Sequence, residues 1–420
     1  MTRRVLITGR SALTAAGANS DATWSSILAG TSGLSEIKGW DISSWTHRLG
    51  GELTQAPALP DRKLMRSMAR QDIMGIQAAM QAITHSQCLE YRDTLSCATQ
   101  FNAKTGVYVG SPGNKYFQQY DFLPLISKTN GDMADFAENL FSEVHPMWLL
   151  RILPNNVLAY TGMLHGFNGP NHNITNHAVS GMQAILEAYH AIKSGQIERA
   201  VVVAYDTGIE PQALFYYAKL GVISARYLKP FDLEHDGTIL AEGASALVLE
   251  SEASAAARQA VCYAEVVAGA SATEGAGLFS VEKTGNALAT LLADSLKQAE
   301  LSAADIGLVV AHGNGNPPSD CSEARAISHT FGDQSVPVTA FKWAMGHTLC
   351  TSGVLDTVLA TYALRDQVVP GIAGLDSLSA ECSGLNARSC TRSLSGLSHA
   401  MIINRGFASM NAALVIRACE

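Results

Sequence analysis

Short runs of β-branched and apolar residues alternate along this chain with longer stretches of helical periodicity, and that alternation limits the folds open to it. Residues 4–8 (RVLIT), 105–109, 200–205, 246–250, 308–311, 336–340, 400–404 and 412–416 read as strands. Between several of them lie amphipathic patterns, clearest at 182–194 and 285–299, with Gly195 placed to end the first. Alternation of this kind predicts an α/β fold with mostly buried strands. It occurs twice, over 1–250 and over 251–420, and 251–258 (SEASAAAR) reads as a helical connection at the join. With 420 residues, of which 47% are hydrophobic and 16% charged, the chain has enough apolar surface for a large core, and the halves are expected to pack as one body. Residues 111–156 interrupt the pattern with aromatics (Tyr116, Phe117, Tyr120, Phe122, Phe136, Phe141, Trp148), expected to line a pocket or subunit contact or to form a satellite core.

Charge and composition exclude several classes. A formal net charge of -8 is opposite to what a phosphate-backbone binder needs. No window approaches the ~18 uninterrupted apolar residues of a membrane span, and the first apolar run is too short for a signal peptide, so a cytoplasmic protein is expected. The eight cysteines show no CxxC pair, and reduced, buried thiols are expected.

Two histidines stand directly after strand-like runs and beside glycine: His312 in VVAHGNGN and His347 in KWAMGHT. Strand ends are where α/β proteins place ligand sites. With Lys342 they form a candidate donor cluster for a carboxylate or developing oxyanion. A zinc site is the alternative, but the HxxxH and HExxH spacings are missing. A third segment, 173–189 (NITNHAVSGMQAILEAY), turns from an extended run into a helix near Ser180 and so presents position 178 at a helix N-terminus, where a thiol would be acidified. That position is alanine, and Ser180 is expected to cap the helix.

The motifs taken together resemble the β-ketoacyl-acyl-carrier-protein synthases, the elongating ketosynthases of the thiolase superfamily. The resemblance spans nearly the whole chain: VLITGRSALTAAG (5–17), LPNN (153–156), GPNHNITNHAVSG (169–181), KPFDLEHDGTILAEGA (229–244), HGNGNPPSDCSEA (312–324), FKWAMGHTLCTSG (341–353) and GFASMN (406–411). It implies a thiolase-like fold, with duplicated βαβ halves in a five-layer αβαβα sandwich. It also implies an acyltransferase that condenses a carrier-bound acyl chain with malonyl thioester in fatty acid or polyketide assembly. The nucleophile would stand at 178, and His312 and His347 would polarise the thioester. Lys342, paired with Glu323, would hold the histidines, and Phe407, Arg405, Asn314 and Thr348 would line the substrate site. No metal or redox cofactor is implied, since phosphopantetheine arrives on the acyl carrier protein. A homodimer is expected, with 200–205 near its interface; a heterodimer with a ketosynthase is the variant.

The departures shape the expectation. Ala178 replaces the family's cysteine, and a methyl group forms no thioester. Three readings follow: a ketosynthase whose Cys→Ala change traps substrate, a natural non-acylating partner like a chain-length factor, or a member that only decarboxylates. Ala408 and Ser409 replace glycines, Arg405 a gating aromatic, Asn314 a threonine and Cys350 a glycine, which points to a specialised acyl chain. Cys350 as a displaced nucleophile is set aside, because nothing in the sequence puts it at a helix N-terminus.

Overall fold

In a computed structural model of the chain, residues 3–113 and 122–419 are described. Eleven strands form one mixed sheet: β1 (Val5–Leu13), β2 (Thr105–Gly110), β3 (Asn171–Ile174), β4 (Arg199–Thr207), β5 (Glu242–Ser251), β6 (Ala264–Thr273), β7 (Leu308–Val310), β8 (Pro337–Thr339), β9 (Asn386–Ala387), β10 (His399–Gly406) and β11 (Met410–Arg417). Their order across the sheet is β9-β8-β7-β10-β11-β6-β1-β5-β4-β2-β3. The first five strands repeat in the second half. In the first, β3, β2 and β4 run parallel, with β5 and β1 added antiparallel. In the second, β8, β7 and β10 run parallel, with β11 and β6 added antiparallel. Pairing of Val5–Ile7 with 264–266 joins the two sets.

Helices cover the strands on both sides, as runs such as β4, buried at all nine positions, require. Helix α1 (Arg70–Ser86) packs on β1, β5 and β4; α2 (Asn156–His165) follows over β2. Helix α3 (Ser180–Lys193) leaves β3 and lies between the halves, touching β2 and β4 on one side and β11 and β6 on the other. Helix α4 (Pro211–Lys219) opens with proline in its first turn. Helices α5 (Asn286–Ala299) and α6 (Pro317–Phe331) cover the second half, and α7 (Ser352–Asp366) packs beside α3 and against β10 and β5. The result is the five-layer thiolase-like sandwich that the resemblance implied, with α3 and α7 as its middle layer.

Three expectations take a specific form in the structure. The strand at 200–205 is interior to the sheet: it lies in β4, between β2 and β5, and among the described residues the outermost strand of the first half is β3, where Asn171 and His172 are exposed. The thiols are not all reduced: Cys262 and Cys419 are paired, with 5.9 Å between their Cα atoms. Cys262 precedes β6 and Cys419 follows β11, antiparallel neighbours, so the pairing register brings the two together across 157 residues. In the insertion, Tyr116, Phe117 and Tyr120 lie outside the described residues. Phe122, Phe136 and Trp148 pack on one another as a satellite cluster, whereas Phe141 is 76% exposed.

Candidate active site

Position 178 lies in a turn of 3₁₀ helix, His177–Val179, that leads from β3 into α3. His177 takes a left-handed backbone (φ +52°), unusual for a side-chain-bearing residue. Ser180 does not cap the helix by the expected Ncap geometry. It is the first helical residue, and its hydroxyl braces the turn, accepting from Asn176 N–H and donating to His177 C=O, both at 2.7 Å. Ala178 is fully buried, so no reactive side chain emerges there.

The loop after β7 brings in His312. Glu323 on α6 accepts the backbone N–H groups of His312 (2.6 Å) and Gly313 (2.9 Å). Asp320, one turn earlier, accepts those of Asn314 and Gly315. Burial pushes Glu323 up to about 7 even though Arg405 and these donors favour its charged form. Lys342 is not paired with Glu323. Its ammonium donates to the His312 carbonyl at 2.7 Å and pairs with Asp356 of α7 at 3.1 Å, all three groups being buried.

His347 follows, its ring 5.1 Å from that of His312 and nearly perpendicular to it. The His312 Nδ1 accepts from Arg405 N–H (3.3 Å) and the His347 Nδ1 from Leu349 N–H (3.3 Å), so in each neutral ring the hydrogen is on Nε2. Burial, reinforced by the Lys342 charge, holds both rings well below the ordinary histidine range, and both are neutral near pH 7. Two adjacent N–H donors that carry no charge can stabilise negative charge developing on a carbonyl oxygen.

Both histidines line one cavity, together with His177, Tyr217, Asn314 and Phe407. Arg405 borders it, but its guanidinium is tied to Glu274, Asn411, Ser319 and Ser322 and holds the framework. Thr348 is not in the lining; buried, it packs beside Gly243 and Ser352. Phe407 sits at the tip of the β10–β11 hairpin, where Ala408 and Ser409 both adopt positive φ. Their strain is offset by Ala408 N–H donating to the Leu278 carbonyl and Ser409 Oγ donating to those of Gly277 and Ser280. The substituted glycines therefore belong to a tied-down loop.

Sequence reasoning missed the next feature. His177 stacks on Phe407 (4.4 Å, 7°), and its Nδ1 accepts the Phe407 N–H at 3.1 Å. Its Nε2 is 2.5 Å from the Tyr217 hydroxyl on α4. Burial lowers His177 to about 4. His177 stands in the segment that the sequence singled out, but its partner on α4, 40 residues on, gave no signal there.

The reason given for setting Cys350 aside is also corrected. Leu349–Thr351 is a second 3₁₀ turn, opening α7 as His177–Val179 opens α3, with Leu349 at φ +45° and Ser-Gly following in both. Cys350 thus occupies in the second half the place that Ala178 holds in the first. Burial and the neighbouring Asp206 carboxylate raise its thiol well above the ordinary range, which favours the protonated form over the thiolate.

Two family models match the chain: "Beta-ketoacyl synthase, N-terminal domain" over residues 2–255 and "Beta-ketoacyl synthase, C-terminal domain" over 263–376. The chain belongs to the β-ketoacyl synthase family. Among its relatives in that family, the 3-oxoacyl-[acyl-carrier-protein] synthase 2 of Vibrio cholerae is 25% identical, covering 99% of each chain. The putative polyketide beta-ketoacyl synthase 1 of Streptomyces cyaneus is 26% identical over 99% of this chain and 98% of its own. A β-ketoacyl synthase structure from Burkholderia phymatum superposes with TM-score 0.86 at 25% identity, and the ishigamide ketosynthase/chain length factor with 0.89 at 20%, each over the full length of both chains. Among the described residues no helix is long and apolar enough to cross a membrane.

Proposed function

We propose that this β-ketoacyl synthase acts on carrier-bound malonyl thioesters in fatty acid or polyketide assembly and performs the decarboxylating half of the condensation without forming an acyl-enzyme. The observation that carries the reading is the pair of neutral imidazoles, His312 and His347, facing a cavity lined also by His177, while the next residue, Ala178, offers only a buried methyl group. The phosphopantetheine arm would bring the thioester carbonyl against the two Nε2–H donors. As the bond to the terminal carboxylate breaks, CO₂ leaves and the electron pair moves onto the thioester oxygen, where those donors offset the charge. Lys342 and Glu323 act as positioning residues, holding His312 through its backbone.

The stack of His177, Tyr217 and Phe407 beside Ala178 supports reading the alanine as part of a wider set of differences at this turn rather than as one isolated change. The test is CO₂ release from malonyl-carrier protein by the chain and by His312→Ala and His347→Ala. Loss of about 10²-fold or more in either variant is expected, and equal rates in all three refute the assignment.

A second reading, a non-acylating partner subunit, is favoured by the edge position of β3, which among the described residues pairs only with β2, so that a second chain could continue the sheet. It requires a stable complex with a cysteine-bearing ketosynthase; sedimentation of the co-expressed pair as separate species excludes it.

A further inference from the structure

The segment 237–239 is bonded to both of the loops that carry His312 and His347. Gly237 N–H donates to the Gly315 carbonyl (3.0 Å), three residues after His312, and the Ile239 carbonyl accepts from His347 N–H (2.7 Å). Thr238, between them, lines the cavity together with both histidines. Its backbone is engaged on both sides, the N–H donating to the Val222 carbonyl and the carbonyl accepting from Ser224 N–H. Its side-chain hydroxyl is different: the residue is 3% exposed, and the hydroxyl has no hydrogen-bond partner among the described residues. A buried hydroxyl without a partner costs stability, and a partner that arrives with a ligand removes that cost.

The substrate offers such a partner. With the thioester carbonyl against the two Nε2–H donors, the free carboxylate of a malonyl group is two carbon–carbon bonds away. A carboxylate only accepts hydrogen bonds, and a threonine hydroxyl can donate one. Among the described residues of the lining, Arg405 carries the one full charge, and it is paired with Glu274 at 2.6 Å. The carboxylate would therefore meet neutral donors, the Thr238 hydroxyl and the N–H₂ of Asn314, whose Oδ1 accepts the Asn316 N–H at 3.0 Å. That suits a group that is to leave. A cation would favour the carboxylate over a transition state in which charge moves to the thioester oxygen, whereas a neutral donor locates it with less of that opposition.

We propose that Thr238 is the binding residue for the free carboxylate of the malonyl thioester and selects malonyl over acetyl groups. The ligand is taken from the decarboxylation reading, on which the inference rests. The experiment uses the full chain and two amide analogues of acyl-pantetheine, one malonyl and one acetyl, in which nitrogen replaces the thioester sulfur. Dissociation constants are measured by calorimetry for the unsubstituted chain, for Thr238→Val, which keeps the shape of the side chain, and for Thr238→Ser, which keeps the hydroxyl. Urea midpoints are measured without ligand. Thr238→Val is expected to bind the malonyl analogue about fivefold or more weakly and the acetyl analogue within about twofold of the unsubstituted chain, with an equal or higher urea midpoint. Thr238→Ser is expected to retain the selectivity. An equal change in both constants overturns the assignment. So does a lowered midpoint in Thr238→Val, which would show the hydroxyl serving the fold. CO₂ release from malonyl-pantetheine by the unsubstituted chain is measured alongside; its absence overturns the decarboxylation reading, an outcome separate from the loss of selectivity.

Discussion

Three histidines of the cavity stay neutral because burial opposes their charge, and that fixes the sign of a pH effect. For His177 the folded-state value, about 4, lies below the ordinary 6.5. The unfolded chain therefore binds the proton more readily, and stability falls as pH drops through that window. In the Gln variant this residue contributes nothing to the slope. Between pH 6.5 and about 4 the unsubstituted chain is expected to lose up to about 3 kcal/mol more than His177→Gln, measured by urea denaturation at stepped pH. Parallel curves would mean that His177 is protonated in the fold. The Lys342–Asp356 pair allows a second expectation. Lys342→Met leaves the Asp356 carboxylate buried without a counter-charge and is expected to destabilise by roughly 3–5 kcal/mol in chemical denaturation, much of it recovered by adding Asp356→Leu.

At the scale of elements, the site depends on two crossing helices that start alike. A Cβ added at Gly181 would meet the Cys350 carbonyl at 2.5 Å, and one at Gly353 would meet Met182 at 2.8 Å, so the openings of α3 and α7 touch backbone to backbone. Gly181→Ala is expected to cost about 1–3 kcal/mol in denaturation and to lower decarboxylation, because relief of the clash must move the turn that carries His177. Much of this framework was legible. All eight strands read from the sequence are present, and the helices read at 182–194 and 285–299 are observed as Ser180–Lys193 and Asn286–Ala299. Helix α7 was missed for a physical reason: its first thirteen residues are all buried, so it has no polar face and no 3.6-residue pattern to detect. With it went Asp356, the carboxylate that pairs with Lys342, whereas the pairing with Glu323 came from the family resemblance. Strand β6, rich in alanine, glycine and serine, lacks the β-branched signature that marked the others.

For the molecule as a whole, duplication explains how one site draws on distant sequence. The first half contributes the turn at 178 with His177, the second contributes His312, His347 and Phe407, and the middle helices bring the halves into register. Position 178, His312 and the loop at 406–411 were readable because each stands at the end of a strand or the start of a helix, whereas His347, read as directly following a strand, is separated from β8 by a short helix, Lys342–Met345. The Tyr217 contact was not readable, since it depends on how α4 folds back over the turn. On the proposed reading, the cavity has donors for an enolate in His312 and His347, and Ala178 gives it no thiol to hold an acyl chain. The most direct measurement is intact-mass spectrometry of the chain and malonyl-carrier protein after incubation together. The carrier is expected to shift from malonyl to acetyl while the mass of the chain stays unchanged. A carrier that remains malonylated, or a chain that gains an acyl adduct, would contradict the account.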